Sequence, residues 1–292
     1  MKINPICVPC LIQRIIYEAN QSTTKKHIQK IVIRNACSMV ADLYDPEECS
    51  AVIATKVHKK TYELLNDPDP YKNLKKQSNT IAWSLVPMIE KRIKSSKDPL
   101  KTAILASIIG NTLDFGIAGG SNHPDQLKQD FDHLFSEGLR VDDSERLFSL
   151  FKSSESILFF TDNAGEIVFD KLLCQQLKNQ YPHLSITIVV KGDPVLSDAT
   201  IEDADELQFS TVVDNVYTTG GFAVGVDFDV IPTNVRKMIP EVDLILCKGM
   251  ANYESFSETM YRPIVYLLRS KCQPIAESMN VPINSNILKL YE

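Results

Sequence analysis

Ile157-Leu158-Phe159-Phe160-Thr161-Asp162-Asn163-Ala164-Gly165-Glu166 is the stretch on which the reading of this chain turns. Four consecutive apolar residues suit a short strand buried on both faces. Asp162 and Asn163 follow where that strand runs out, and Gly165 opens a helical pattern extending to about Asn179. The same alternation repeats downstream. Ile186 to Val190 is a β-branched run, Val212-Val213 with Val216-Tyr217 suggests another strand, and Asp243 to Cys247 and Ile264 to Leu268 add two more. Strands alternating with helices predict βαβ units and a mainly parallel sheet covered on both faces, an α/β fold.

Upstream the character differs. Leu11, Ile12, Ile15 and Ile16 recur at helical spacing, and Ile28, Ile31, Val32 and Ile33 begin a second stripe. Asp69-Pro70 and Asp98-Pro99 each place a capping side chain before a proline suited to the first helical turn. Between them Ile81, Leu85, Met88, Ile89 and Ile93 form one apolar face, with Pro87 a point of kinking. No strand pattern of any length occurs before the middle of the chain. The division this predicts is a helical region over 1–100 and an α/β domain over 101–292, with the boundary between 95 and 150.

A hydrophobic fraction of 44% and a charged fraction of 23% over 292 residues are ordinary for a globular protein. No apolar run is long enough to cross a bilayer, and the N-terminus has no secretory leader pattern. The expectation is a cytoplasmic protein without membrane contact. A net charge of −6 argues against a nucleic-acid partner, and the basic pairs near Lys59 and Lys75 read as solvated helix faces. Seven cysteines without a disulfide pattern fit a reducing compartment.

Chemistry concentrates where strands end. Ligands in open α/β sheets bind beyond the carboxyl ends of the strands, and free N–H groups at a helix start favour phosphate. The oxygens of Asp162 and Asn163 are hard donors suited to Mg²⁺ or Mn²⁺. An ordinary turn with helix capping accounts for the pair equally well, and both readings stand at this point. Lys191-Gly192-Asp193-Pro194 follows the second strand, with Asp198 shortly after, and Lys248-Gly249 follows the run ending at Cys247. A lysine beside a glycine offers a point charge and close backbone approach, a combination phosphoryl transfer uses. Asn111 and Asp114 share a face if their helix continues, and a C-terminal cap ending at Gly116 explains them as well. Cys7-Val8-Pro9-Cys10 lacks the second pair a structural zinc site needs. The five histidines form no ligand pattern, and neither a nucleophile elbow nor a Walker loop is present.

Taken in order, Cys7-x-x-Cys10-Leu11, Gly110-Asn111-x-x-Asp114, Asp162-Asn163-Ala164-Gly165-Glu166, Lys191-Gly192 with Asp198, and Lys248-Gly249-x-x-Asn252-x-Glu254 resemble the damage-control phosphatases. This is a former domain-of-unknown-function family, and the chain is similar to its archaeal and bacterial branch with the N-terminal C-x-x-C. The resemblance runs over nearly the whole chain. It implies a Rossmann-like three-layer α/β/α domain with a helical N-terminal region, and metal-dependent hydrolysis of small phosphate monoesters. Sugar phosphates and phosphorylated or damaged metabolites are the implied substrates. It implies metal ligands at Asp162, Asn163 and Asp198 and a phosphate-binding lysine at Lys248. Lys191, Asn111 and Asn252 are expected around the phosphate, and Glu166 or Asp114 to orient the water or leaving group. An Arg-Thr-x-Lys signature found in longer members is absent, so their sugar-phosphate preference does not carry over.

The expected cofactor is a divalent metal (Mg²⁺, Mn²⁺, Co²⁺ or Ni²⁺), and attack by water is favoured over attack by a carboxylate, because a ligated Asp162 is a poorer nucleophile. Two other classes compete. One is an S-adenosylmethionine-dependent carboxyl methyltransferase, against which stand the glycine-poor first turn and Lys191 at the end of the second strand. The other is a non-enzymatic metal- or metabolite-binding protein. Sequence alone leaves the oligomeric state and the physiological substrate open.

Overall fold

The computed structural model describes residues 1–112 and 125–292, with 125–129 described by backbone alone. Helices α1 (Cys7–Ser22), α2 (Lys26–Leu43), α3 (Ser50–Leu65), α4 (Lys72–Ser95), α5 (Pro99–Gly110) and α6 (Asp125–Ser136) come first. Then follow β1 (Val141–Asp142), α7 (Ser144–Ser153), β2 (Ser156–Phe160), α8 (Glu166–Gln180), β3 (Ser185–Val190), α9 (Ile201–Glu206) and β4 (Asn215–Thr218). The chain ends with α10 (Thr233–Met238), β5 (Leu244–Lys248), α11 (Gly249–Phe256), β6 (Ile264–Arg269), α12 (Gln273–Met279) and β7 (Asn286–Tyr291).

The seven strands form one sheet in the order β1-β7-β6-β5-β2-β3-β4. β2 pairs in parallel with both β3 and β5, and β5 with β6, so the predicted parallel centre is present. β7, antiparallel to β6 with β1 outside it, is an addition the sequence reading had not identified. Alternation along β2 sorts its side chains to opposite faces. Ile157 and Phe159 join a cluster with Leu85, Ile104 and Phe169 of α4, α5 and α8. Leu158 and Phe160 join another with Val235, Phe256 and Ile275 of α10, α11 and α12. Helices therefore cover both faces in three layers, the expected Rossmann-like α/β architecture. Each fully buried Phe or Leu contributes about 1.5–3 kcal/mol of transfer free energy, which makes this double burial the main force holding the sheet.

A third cluster runs from Ile3 to Leu65, within α1, α2 and α3 and the segment ahead of α1. Ala82, Leu85, Ile89 and Ile93 of α4 belong instead to the sheet-side cluster, so α4 lies with the α/β layers. The Asp98-Pro99 signal opens α5 as read, with the Asp98 carboxylate accepting from Lys101 N at 3.0 Å. At Asp69-Pro70 the helix begins later, at Lys72, and Asp69 instead accepts from Tyr71 N at 3.2 Å. The three-helix unit docks over the sheet edge through Leu196 N donating to Tyr62 Oη (3.0 Å) and Val224 N to Thr55 Oγ1 (2.9 Å).

Candidate active site

Because β2 and β3 are parallel neighbours, the loops after Phe160 and Val190 leave the same edge of the sheet. They are then zipped together. Asn163 and Asp198 form an antiparallel bridge, Ala164 N donates to Ser197 O (2.8 Å) and Ala199 N to Asp162 O (2.7 Å). Two carboxylates and one amide, thirty-six residues apart in sequence, are thereby brought to one cavity of about 450 Å³. Its other walls include Cys7, Cys10 and Arg14 of α1, His58 of α3, Met250 of α11, and Lys271. A second cavity of about 540 Å³, between α4 and α8 and lined by Glu90, Gln176 and Asp214, contains none of the predicted residues.

Glu166 organises the floor. Its Oε2 accepts from Asn111 Nδ2 (2.9 Å), Asn163 Nδ2 (2.9 Å) and Asn163 N (3.2 Å). The same two amides donate to Asp162 Oδ2, from Asn111 at 2.7 Å and from Asn163 at 2.8 Å. Both Asn163 and Asn111 thus bridge the two carboxylates, while Ser197 Oγ donates to Asn163 Oδ1 at 2.7 Å. Glu166 has no solvent exposure, and its carboxylate is engaged by the floor's own amides. Gly249 has a positive φ of 73°, and a Cβ there would collide with the Asp162 carboxylate. The glycine of Lys248-Gly249 therefore makes room for Asp162.

Lys248 departs from its expected role. Its ammonium donates to Glu166 Oε1 (2.5 Å), Asp170 Oδ1 (2.7 Å) and Ser107 O (3.0 Å), which occupies all three of its protons. It is fully buried and does not line the cavity. Burial opposes its charge, but Asp170 and Glu166 outweigh that and hold it above the ordinary lysine range. Burial likewise raises Asp170, to about 6, against the pull of Lys248. The physical reason for the departure is register: Lys248 ends β5 beneath the Asp162 turn, facing α5 and α8. Lys191 is also a structural cation here. It sits 3.3 Å from Asp198 Oδ2 and donates to Gly225 O and to Ala223 O (3.2 Å), while a Cβ on Gly192 would strike the backbone of Gly220. Asn252 Nδ2 donates to Thr161 O (2.9 Å) and Lys248 O (2.8 Å), tying α11 to the end of β2. Asp114 lies outside the described residues.

Of the lysines near strand ends, Lys271 lines the cavity, buried and donating to Asn111 O at 2.7 Å. It comes just after β6, as Lys191 comes just after β3 and Lys248 ends β5, and that similar position was the signal available in the sequence. Asn79 was also missed. From α4 it accepts from Gly165 N (2.6 Å) and donates to Asp203 Oδ1 (2.6 Å), and Asp203 accepts from Thr200 N at 2.8 Å in the capping box of α9. One side chain thus braces both loops that carry the acidic residues.

The donor set fits a hard divalent cation: carboxylates of Asp162 and Asp198 and the side-chain oxygen of Asn163, all buried against one cavity. Among the described residues no group of three His, Cys, Asp or Glu side chains is arranged to hold a metal, and this set differs in drawing its third oxygen from an amide. Also among the described residues, no helix is long and apolar enough to cross a membrane.

Comparison with known proteins agrees with this architecture. The chain is 37% identical to a damage-control phosphatase of Archaeoglobus fulgidus over the full length of both. It is 27% identical to one of Pyrococcus horikoshii, over 97% of this chain and 96% of that one. A crystal structure of a DUF89 family protein from Pyrococcus horikoshii superposes with a TM-score of 0.89 at 26% identity, covering both chains completely. The family profile described as the damage-control phosphatase ARMT1-like domain matches residues 3–287, and the chain belongs to that family.

Proposed function

We propose that this chain is a metal-dependent phosphatase of small phosphate monoesters, phosphorylated or damaged metabolites among them, working at the cavity between the sheet edge and the three-helix unit. Two relatives bear the name damage-control phosphatase. The observation that carries the metal-dependent reading is the Asn163–Asp198 bridge, which gathers Asp162, Asn163 and Asp198 beside Lys271. In this reading those three residues hold Mg²⁺, Mn²⁺, Co²⁺ or Ni²⁺. When bound, such an ion polarises a phosphoryl oxygen and makes water nucleophilic near neutral pH.

The protein's own groups do the rest. Lys271 offers its charge to the phosphate from the cavity wall. Asn111 and Asn163 hold Asp162 Oδ2 by hydrogen bonds, which aims that carboxylate. Lys248 lies between Glu166 and Asp170 beneath the floor and offsets one of their two charges. The methyltransferase alternative draws no support from this arrangement, since a cavity floored by carboxylates and flanked by a lysine suits a cation and a phosphate.

The test is hydrolysis of an aryl phosphate by protein stripped of metal and then supplied with each of the four ions, for wild type and Asp162→Ala. Turnover that requires an ion and disappears in the variant supports the reading. Folded protein that is inactive with every ion on a broad ester panel would return the weight to a binding protein.

A further inference from the structure

The cavity has two unlike ends. Its floor is the acidic cluster, while much of the remaining wall is apolar. Leu11 of α1, Met250 of α11 and Pro274 at the start of α12 contribute to that wall. Ile6, just before α1, and Ile283, in the loop between α12 and β7, also line it and are 46% and 49% exposed. They are two of eight large apolar side chains exposed among the described residues, and they come from opposite ends of the sequence. Exposed apolar side chains lining one cavity mark a surface that a ligand covers. Of the thiols on this wall, burial raises Cys7 and pushes Cys272 up to about 12. Arg14, His58 and Glu254 reach the same cavity, and each is engaged within the protein. His58 Nδ1 lies 2.7 Å from Glu18, and Glu254 accepts from Ser50 at 2.7 Å. Ser50, Gln273 and Asn284 add polar groups, and apolar side chains still outnumber polar ones on this wall.

Resting on the phosphatase reading, we propose that the ester cleaved carries a predominantly apolar alcohol, which lies against Leu11, Met250 and Pro274 and passes between Ile6 and Ile283. Polyhydroxylated sugar phosphates are poor substrates in this scheme. The wall shared by α1, α11 and the start of α12 then selects the substrate, and the sheet edge cleaves it.

The experiment is a series of n-alkyl phosphates from methyl to octyl, beside a hexose 6-phosphate, assayed with the ion that gives turnover. A fully buried methylene is worth about fourfold in affinity (~0.8 kcal/mol), and partial burial about twofold. KM is therefore expected to fall about twofold per added carbon, with the hexose ester at least about tenfold worse than octyl phosphate in kcat/KM. Ile6→Ser and Ile283→Ser sit on the surface and leave folding intact. They are expected to flatten the dependence of KM on chain length for the longest chains. KM independent of chain length, or preference for the hexose ester, overturns the proposal and leaves the phosphatase reading standing. If no ester is hydrolysed with any ion, the reaction reading fails first. Calorimetric binding of n-alkylphosphonates then decides the apolar subsite separately, by whether affinity rises with chain length.

Discussion

The floor of the cavity and its helical wall face the same space but are held in opposite ways. On the floor, Asp162, Asn163, Glu166 and Asn111 form a closed set of charge-assisted hydrogen bonds, each side chain bonded to at least two others or to backbone. Lys248 and Asp170 support them from below. On the wall, Leu11 packs in the three-helix cluster, Ile6 projects into solvent, and no polar network holds either. A polar network at low dielectric tolerates no missing member, since each orphaned group retains its full desolvation cost. An apolar wall tolerates change in proportion to the area altered. Precision therefore resides on the sheet edge and adaptability on the helices.

That contrast can be broken at four depths. Lys248→Met should have the largest effect on stability. It leaves Glu166 and Asp170 buried without their cation, a loss of about 3–5 kcal/mol in chemical denaturation. If it unfolds at the wild-type midpoint, the floor is not the tightly coupled unit described. Lys271→Met is the control, expected to cost only about 1–3 kcal/mol for the orphaned Asn111 carbonyl while lowering turnover. Asp162→Ala should reduce metal-dependent turnover by at least about 10²–10³-fold, comparable to removing a principal electrostatic group from a catalytic site.

Asn79→Ala should act more gently and through geometry. It removes the bonds to Gly165 N and Asp203, so a loss of about 1–3 kcal/mol is expected. Metal affinity, measured by calorimetry, should weaken about 10–100-fold, the usual effect of losing an outer support. A variant that loses stability but binds metal as before would confine Asn79 to holding α4. Ile6→Ser marks the small end of the scale, with stability within about 0.5 kcal/mol of wild type. A large loss there would mean that the wall is as tightly built as the floor.

The parallel core of the sheet was legible because its strands are continuous apolar runs bounded by turn residues, as in Ile157 to Phe160 and Ile186 to Val190. β7 was not read, since Asn286-Ile287-Leu288-Lys289-Leu290-Tyr291 mixes polar and apolar residues and has no turn signal of a hairpin before it. At the site, position after two strands pointed to Asp162 and Asn163 and to either Asp193 or Asp198, and the family resemblance singled out Asp198; the structure brings Asp162, Asn163 and Asp198 to one cavity. The three strand-terminal lysines look alike in sequence, yet Lys191 and Lys248 point into protein and Lys271 lines the cavity. Whether a residue at a strand end turns toward the edge or the face depends on the following backbone, which local pattern does not encode.

What the amino-acid sequence determined by itself was the chemistry available: hard oxygen donors after two strands, lysines after three, and a chain segment able to form only helices ahead of them. Those properties depend on residue type and on periodicities of a few residues. Which lysine meets the cavity, which carboxylate serves as support, and that α1 supplies the opposite wall were decided only by tertiary structure. They depend on contacts between residues far apart in the chain, such as Lys248 with Glu166 and Ser50 with Glu254, and on which side chains burial leaves facing the same space.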